Sequence, residues 1–203
     1  MKATPRNLAI LTAFFVVALV ISNVIAGKVL QFGIIEIPAA VLAYPVTFLM
    51  IDVISEIWGK EEAKKTVALG FIVQLFSLLL IYLAIILPPA PYMAEFSQSF
   101  AETLSTSGRF VLASLAAYVV SQLVDVHLFH AIKARFKPKW MRNNSTVFSQ
   151  LIDTTIFITI AFAGVVPNLL VMIVSQYVVK VLFAFADTLP FYLLTREPKE
   201  EAE

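Results

Sequence analysis

Four aspartates and one lysine, Asp52, Asp125, Asp153, Asp187 and Lys180, stand inside stretches of sequence that are otherwise apolar, and Glu56 stands near the end of one. A carboxylate accepts paired N–H donors or a proton, and an ammonium balances such a carboxylate or donates to a carbonyl. Together they have the chemistry to bind a polar solute, relay a proton or hold helices together. Two of the acids share a pattern. Ser121-Gln122-Leu123-Val124-Asp125 matches Ser149-Gln150-Leu151-Ile152-Asp153, and Ser175-Gln176 repeats its first half before Lys180. On a helix, Ser four residues and Gln three residues before Asp lie on the face of that Asp. Asp52 and Glu56, one turn apart, repeat the idea with two acids.

Helix-to-helix hydrogen bonding explains Ser and Gln in apolar helices, at about 0.6 kcal/mol each. It does not require charge. Five charged residues lying unpaired at a bilayer midplane would cost on the order of 12–18 kcal/mol. They must therefore face one another or water, which predicts a polar interior. His127 and His130 share a helix face, but residues 125 and 127 point about 200° apart, so a metal site with Asp125 is not expected. Gly-rich phosphate loops, nucleophilic triads and paired-aspartate protease motifs are absent from the sequence. No cofactor is expected, and an enzyme only in the form of an intramembrane one using the buried aspartates.

The elements that must position these groups are membrane spans. Of 203 residues, 60% are hydrophobic and 14% charged, against roughly 25% charged in soluble domains. The apolar residues fall in blocks of roughly twenty, enough to cross about 30 Å of hydrocarbon. Six spans are expected, at about 8–28, 38–58, 66–88, 109–132, 146–166 and 168–194. The first follows Lys2 and Arg6 but is longer than a signal-peptide core and lacks a cleavage site, so it reads as a spanning helix. The fold class is all-α, a single transmembrane domain formed by a six-helix bundle.

Lys and Arg set the orientation. Twelve fall on the side of the termini, including Lys60, Lys64, Lys65 and a cluster from Lys133 to Arg142. Two, Lys28 and Arg109, fall on the other. Both termini are thus expected to be cytoplasmic in a prokaryotic inner membrane. Net charge is +1, which gives no attraction to nucleic acid, and the absence of cysteine excludes disulfides and thiolate metal sites. In the external connection from Pro88 to Gly108, Phe96, Phe100 and Leu104 recur every four residues, predicting a short amphipathic helix on the outer interface. From the expected helix ends, the four aspartates lie roughly 9–10 Å inside the cytoplasmic boundary, with Lys180 about 10 Å deeper.

The chain resembles the queuosine precursor transporter family, also called vitamin uptake transporters. The resemblance is carried by Ser22-Asn23, by Tyr44-Pro45-Val46-Thr47-Phe48 with Asp52, Glu56 and Gly59, and by Ser121-Gln122 with Asp125, His127 and Phe129. Ser145-Thr146, Ser149-Gln150, Asp153-Thr154 and Lys180 complete it. It implies uptake of 7-cyano-7-deazaguanine or its 7-aminomethyl relative. A carboxylate can accept both N1–H and the 2-amino group of a guanine-type ring. Asp52, Asp125 or Asp153 is expected to read that edge, assisted by Gln122, Gln150, Gln176 and Asn23. Lys180 would balance charge or contact the ligand carbonyl, and Glu56 is the outlying candidate. Asn23, at the far end of its helix, is expected to lie away from the acid ring, so that no static pocket holds all of these groups.

Two transport arrangements fit. One is a self-sufficient carrier working by alternating access, with a buried acid available to a proton. The other is the substrate-capture subunit of an energy-coupling-factor vitamin importer, docking an ATPase module through small residues such as Ala9 and Ala13. The partners expected are the lipid bilayer and a small deazapurine, with homodimerisation left open.

Overall fold

The computed structural model describes the backbone of residues 1–135, 141–186 and 188–195, and their side chains except within 122–149, at 184–189 and at 192. Helix α1 (Pro5–Ile25) starts cleanly because Thr4 Oγ1 accepts from Asn7 N at 3.2 Å and Pro5 occupies the first turn, where a missing N–H costs nothing. It exposes Ile10, Phe14, Val17 and Ile21 and buries Leu11, Phe15, Ala18 and Ser22, two stripes at helical spacing.

The next segment adds a small element of sheet to an otherwise helical chain. The strands β1 (Val29–Phe32) and β2 (Ile35–Pro38) form an antiparallel hairpin, with Val29 opposite Pro38 and Gly33 turning at φ 61°. A 3₁₀ turn (Ala39–Leu42) then leads into α2 (Tyr44–Trp58). With 15 residues α2 is about 22 Å long, short of a bilayer core. The 3₁₀ turn occupies the start of the expected second span, and the hairpin fills the connection before it. They are held inside by burial of Ile37, Ala39, Ala40 and Val41 and by packing of β2 on α7 (Leu169–Ala186), where Glu36 N donates to Ser175 Oγ at 3.3 Å.

Gly59, at φ 90°, makes the corner into α3 (Lys60–Ile86). This helix begins six residues before the expected span, because its polar first turns are stabilised by Lys64–Glu61 and Lys65–Glu62 pairs at 2.8 and 3.0 Å. Helix α4 (Ala94–Ser105) is the short amphipathic helix of the connection; it buries no residue and carries a Phe96–Phe100 ring contact at 6.3 Å. Helices α5 (Ser107–Arg135) and α6 (Met141–Phe162) pack along each other. Arg109 ties the start of α5 to the end of α6, donating from Nε to Ile160 O and from Nη2 to Ala163 O, both at 2.6 Å. The expected sixth span holds α7 and α8 (Thr188–Thr195), on either side of residue 187, which lies outside the described residues.

Two buried clusters hold the bundle. Near the hairpin, Ala26, Ala40, Ala113, Ala117 and Ala161 let the helices approach around Phe110, Phe157, Phe162 and Met172. Near the termini, Leu11, Val53, Ile54 and Ala63 gather Leu8, Trp58, Phe191 and Leu194, and the N-terminal ammonium donates to Leu194 O at 2.7 Å. Among the described residues, Pro5–Ile25, Lys60–Ile86 and Pro91–Ser121 are long and apolar enough to cross a membrane, with shorter apolar helices at Gln150–Phe162 and Leu169–Phe183. Their exposed faces are apolar, as on α3, where Leu69, Ile72, Phe76, Leu79 and Leu83 stand open. The chain is membrane-embedded.

Candidate functional site

Helices α6 and α7 form an antiparallel hairpin about Pro167, and Asp153 lies fourteen residues before that turn and Lys180 thirteen after it. Equal distance from the turn puts them side by side. The Lys180 ammonium reaches Asp153 Oδ2 at 2.9 Å, with the lysine side chain 5% exposed and the aspartate 27%. The same ammonium stands 5.0 Å from the centre of the Tyr44 ring, which adds a cation–π contact from α2. This corrects the expected depth of Lys180. The contact puts the ammonium level with the carboxylate rather than about 10 Å deeper.

The pair stands at the wall of a cavity of about 390 Å³ between the two buried clusters. Of the candidate residues, Asn23, Asp52, Gln150, Asp153 and Lys180 line it. Asn23 thus lines one cavity with Asp52 and Asp153, although not all of the candidates do. The cavity is long: its lining runs from Phe15 to Asn23 on α1, about 12 Å, and from Lys60 to Phe71 on α3, about 16 Å. A void of that length reaches both levels. Lys60 and Lys64 mark its end at the α2–α3 corner.

Two described candidates, Glu56 and Gln176, are not among its lining residues. Glu56 is exposed. Gln176 is wholly buried one turn before Lys180, and neither of its amide atoms has a hydrogen-bond partner among the described residues. Gln150 Oε1, in the cavity wall, is in the same position. The side chains of Gln122, Asp125, His127 and His130, and Asp187 altogether, lie outside the described residues. Among the described residues no cluster of His, Cys, Asp and Glu has the makings of a metal site.

The resemblance implies Phe and Tyr stacking on the flat face of the ligand, but the sequence did not say which: Phe15, Phe48, Phe71, Tyr118 and Phe157 join Tyr44 around the cavity, with Phe71 and Tyr118 edge-on at 4.9 Å between centroids. In apolar helices such residues carry no signal of their own. Sequence reasoning missed Gln74, buried in α3 and bonded to Asn23 at 3.3 Å, although one amide in the middle of an apolar span is a legible sign. A void of this size, at the small end of ligand pockets of roughly 300–1,000 Å³, with flat apolar walls and a few polar groups, suits a small planar polar molecule.

The family model described as "Putative vitamin uptake transporter" matches residues 38–194. The chain is 36% identical over 144 residues to the "Probable queuosine precursor transporter" of Bacillus subtilis (strain 168), covering 68% of this chain and 62% of that one. It is 34% identical over 126 residues to the protein of the same name from Haemophilus influenzae, covering 60% and 50%. It is 26% identical over 176 residues to the "Queuosine precursor transporter" of Escherichia coli (strain K12), covering 78% and 76%. The matched part thus spans between half and two thirds of the first two relatives. No solved structure matches the chain.

Proposed function

This chain belongs to the vitamin uptake transporter family, and on that premise we propose that it imports a queuosine precursor, 7-cyano-7-deazaguanine or its 7-aminomethyl relative, across a prokaryotic inner membrane. The names of its relatives support the substrate class. The observation that carries the reading is Asp153, a carboxylate held by Lys180 at 2.9 Å and still 27% open to an aromatic-walled cavity. Oδ2 is engaged by the ammonium; the remaining lone pairs accept N1–H and the 2-amino group of the base, while Lys180 faces its carbonyl. Gln150 and Asn23 assist from the cavity wall, and Asp52 offers a second carboxylate toward the corner.

Six spans in one transmembrane domain, with both termini cytoplasmic, is the topology that goes with this function. It is supported by the contact of the N-terminal ammonium with Leu194 O and by the Lys and Arg bias. In that orientation Lys60 and Lys64 mark the cytoplasmic end of the cavity, and the Phe110 and Phe162 cluster closes the outer end. The transport mechanism that goes with this topology is an alternating-access cycle.

The test is uptake of 7-cyano-7-deazaguanine in a bacterium unable to make it, lacking its own carrier and any energy-coupling ATPase, read as queuosine in tRNA. Restored queuosine is the expected result. Failure with folded protein in the membrane contradicts the self-sufficient carrier, and recovery on adding an energy-coupling ATPase would identify a capture subunit instead.

A further inference from the structure

The amide of Asn23 has one allowed orientation. Its Nδ2 donates to Leu19 O at 3.1 Å and to Gln74 Oε1 at 3.3 Å. A backbone carbonyl only accepts, so the atom facing Leu19 O must be the nitrogen, and the atom of Gln74 facing that nitrogen must be oxygen. Both N–H bonds of Asn23 are engaged within the protein. Its Oδ1 has no protein hydrogen bond among the described residues, and Asn23 lines the cavity.

Neighbouring hydroxyls are turned the same way. Ser22 Oγ donates to Leu19 O at 2.7 Å, Thr47 Oγ1 to Tyr44 O at 2.8 Å and Ser121 Oγ to Tyr118 O at 3.1 Å. Each directs its proton to its own helix and leaves lone pairs for the cavity, which all three line. Asn23 Oδ1 and these three hydroxyls thus present acceptors to the cavity. Asn23 itself stands on α1, which packs on α2, α3 and α5, whereas Asp153 and Lys180 stand on α6 and α7.

We propose that Asn23, held in place by Gln74, accepts an N–H from the ligand edge opposite the one taken by Asp153, and so selects the ligand. The inference rests on the function proposed above. In a 7-deazaguanine bound through N1–H and the 2-amino group, the donor at the far end of the ring is N9–H. A nucleoside carries ribose there. An acceptor at that position therefore admits the free base and refuses the base substituted at N9. Asn23 touches the ligand; Gln74 acts through Asn23 as a positioning residue.

The experiment is competition against uptake of labelled 7-cyano-7-deazaguanine by the unlabelled base and by its 9-methyl derivative. Wild type is expected to take the 9-methyl derivative at least about tenfold more weakly, the scale of one lost hydrogen bond that leaves a buried acceptor unmet. Asn23→Leu, similar in size but without the acceptor, narrows that ratio to within about threefold. Gln74→Leu does the same and raises KM more than it lowers the maximal rate, whereas Gln74→Glu, which keeps the acceptor, preserves the ratio. If Gln74→Leu does not reach the membrane, Asn23→Leu gives the same reading. Equal competition by both compounds in wild type overturns the proposal, as does a wild-type ratio in either leucine variant. Absence of base uptake by wild type overturns the transport reading and this inference with it; uptake without discrimination overturns this inference alone.

Discussion

The ammonium of Lys180 lies 2.9 Å from Oδ2 of Asp153, across the α6–α7 hairpin and beneath the ring of Tyr44. Burial on this scale makes the two charges interdependent. Removing either one leaves the other without its partner in a low-dielectric interior, at a cost of roughly 3–5 kcal/mol, whereas replacing both by neutral groups of similar size is close to neutral. The pair therefore adds little to net stability, and its presence beside a cavity points to function.

Lys180→Met is expected to destabilise the protein by roughly 3 kcal/mol or more, and Asp153→Asn with Lys180→Met to recover most of that loss without recovering transport. Thermal unfolding in detergent, set against uptake, checks this. Recovery of both would make the pair a structural device.

Gly70 on α3 sits where a Cβ would meet Phe15 Cε1 at 2.7 Å and Leu19 Cδ2 at 3.0 Å. Gly70→Ala forces α1 away from α3, with an expected loss of roughly 1–3 kcal/mol. Because Gln74 is one turn further along, the displacement also separates it from Asn23. Uptake should fall together with the unfolding temperature; an unchanged protein would show that the helices have room to give.

Arg109 meets carbonyls at the end of α6 that have no further helical N–H to accept. It is exposed, so the effect of Arg109→Ala is small, about 1 kcal/mol. Its signature is local: faster hydrogen exchange at the end of α6 with the terminal cluster of Leu11, Val53 and Ile54 unaffected.

The sequence has no cysteine, so single cysteines report topology without background. Ile34, at the hairpin tip, is 88% exposed, and Lys65 is exposed at the other end of the bundle. An impermeant thiol reagent on intact cells is expected to label Ile34→Cys and spare Lys65→Cys. The reverse pattern would invert the proposed orientation.

Hydropathy alone was enough to show a membrane bundle, because about twenty apolar residues in a row have few other physical explanations. It did not show the hairpin at Val29–Pro38. An apolar strand buried against α7 reads like the start of a helix, and only Gly33 and Pro38 hint otherwise. The acids were legible because charge in an apolar run is costly. Their partner relations were not. The symmetry of Lys180 with Asp153 about Pro167 was present in the numbering but was not used. The bond from Asn23 to Gln74 joins residues 51 apart on two helices, and its existence depends on the close approach that Gly70 permits.

The most direct measurement is uptake of labelled 7-cyano-7-deazaguanine into liposomes holding the purified chain alone, wild type beside Asp153→Asn. The account predicts saturable uptake by wild type and its loss, by at least about tenfold, in the variant at equal reconstitution. Equal uptake by both would contradict the assignment of Asp153, and none by wild type would contradict a carrier that works without a partner.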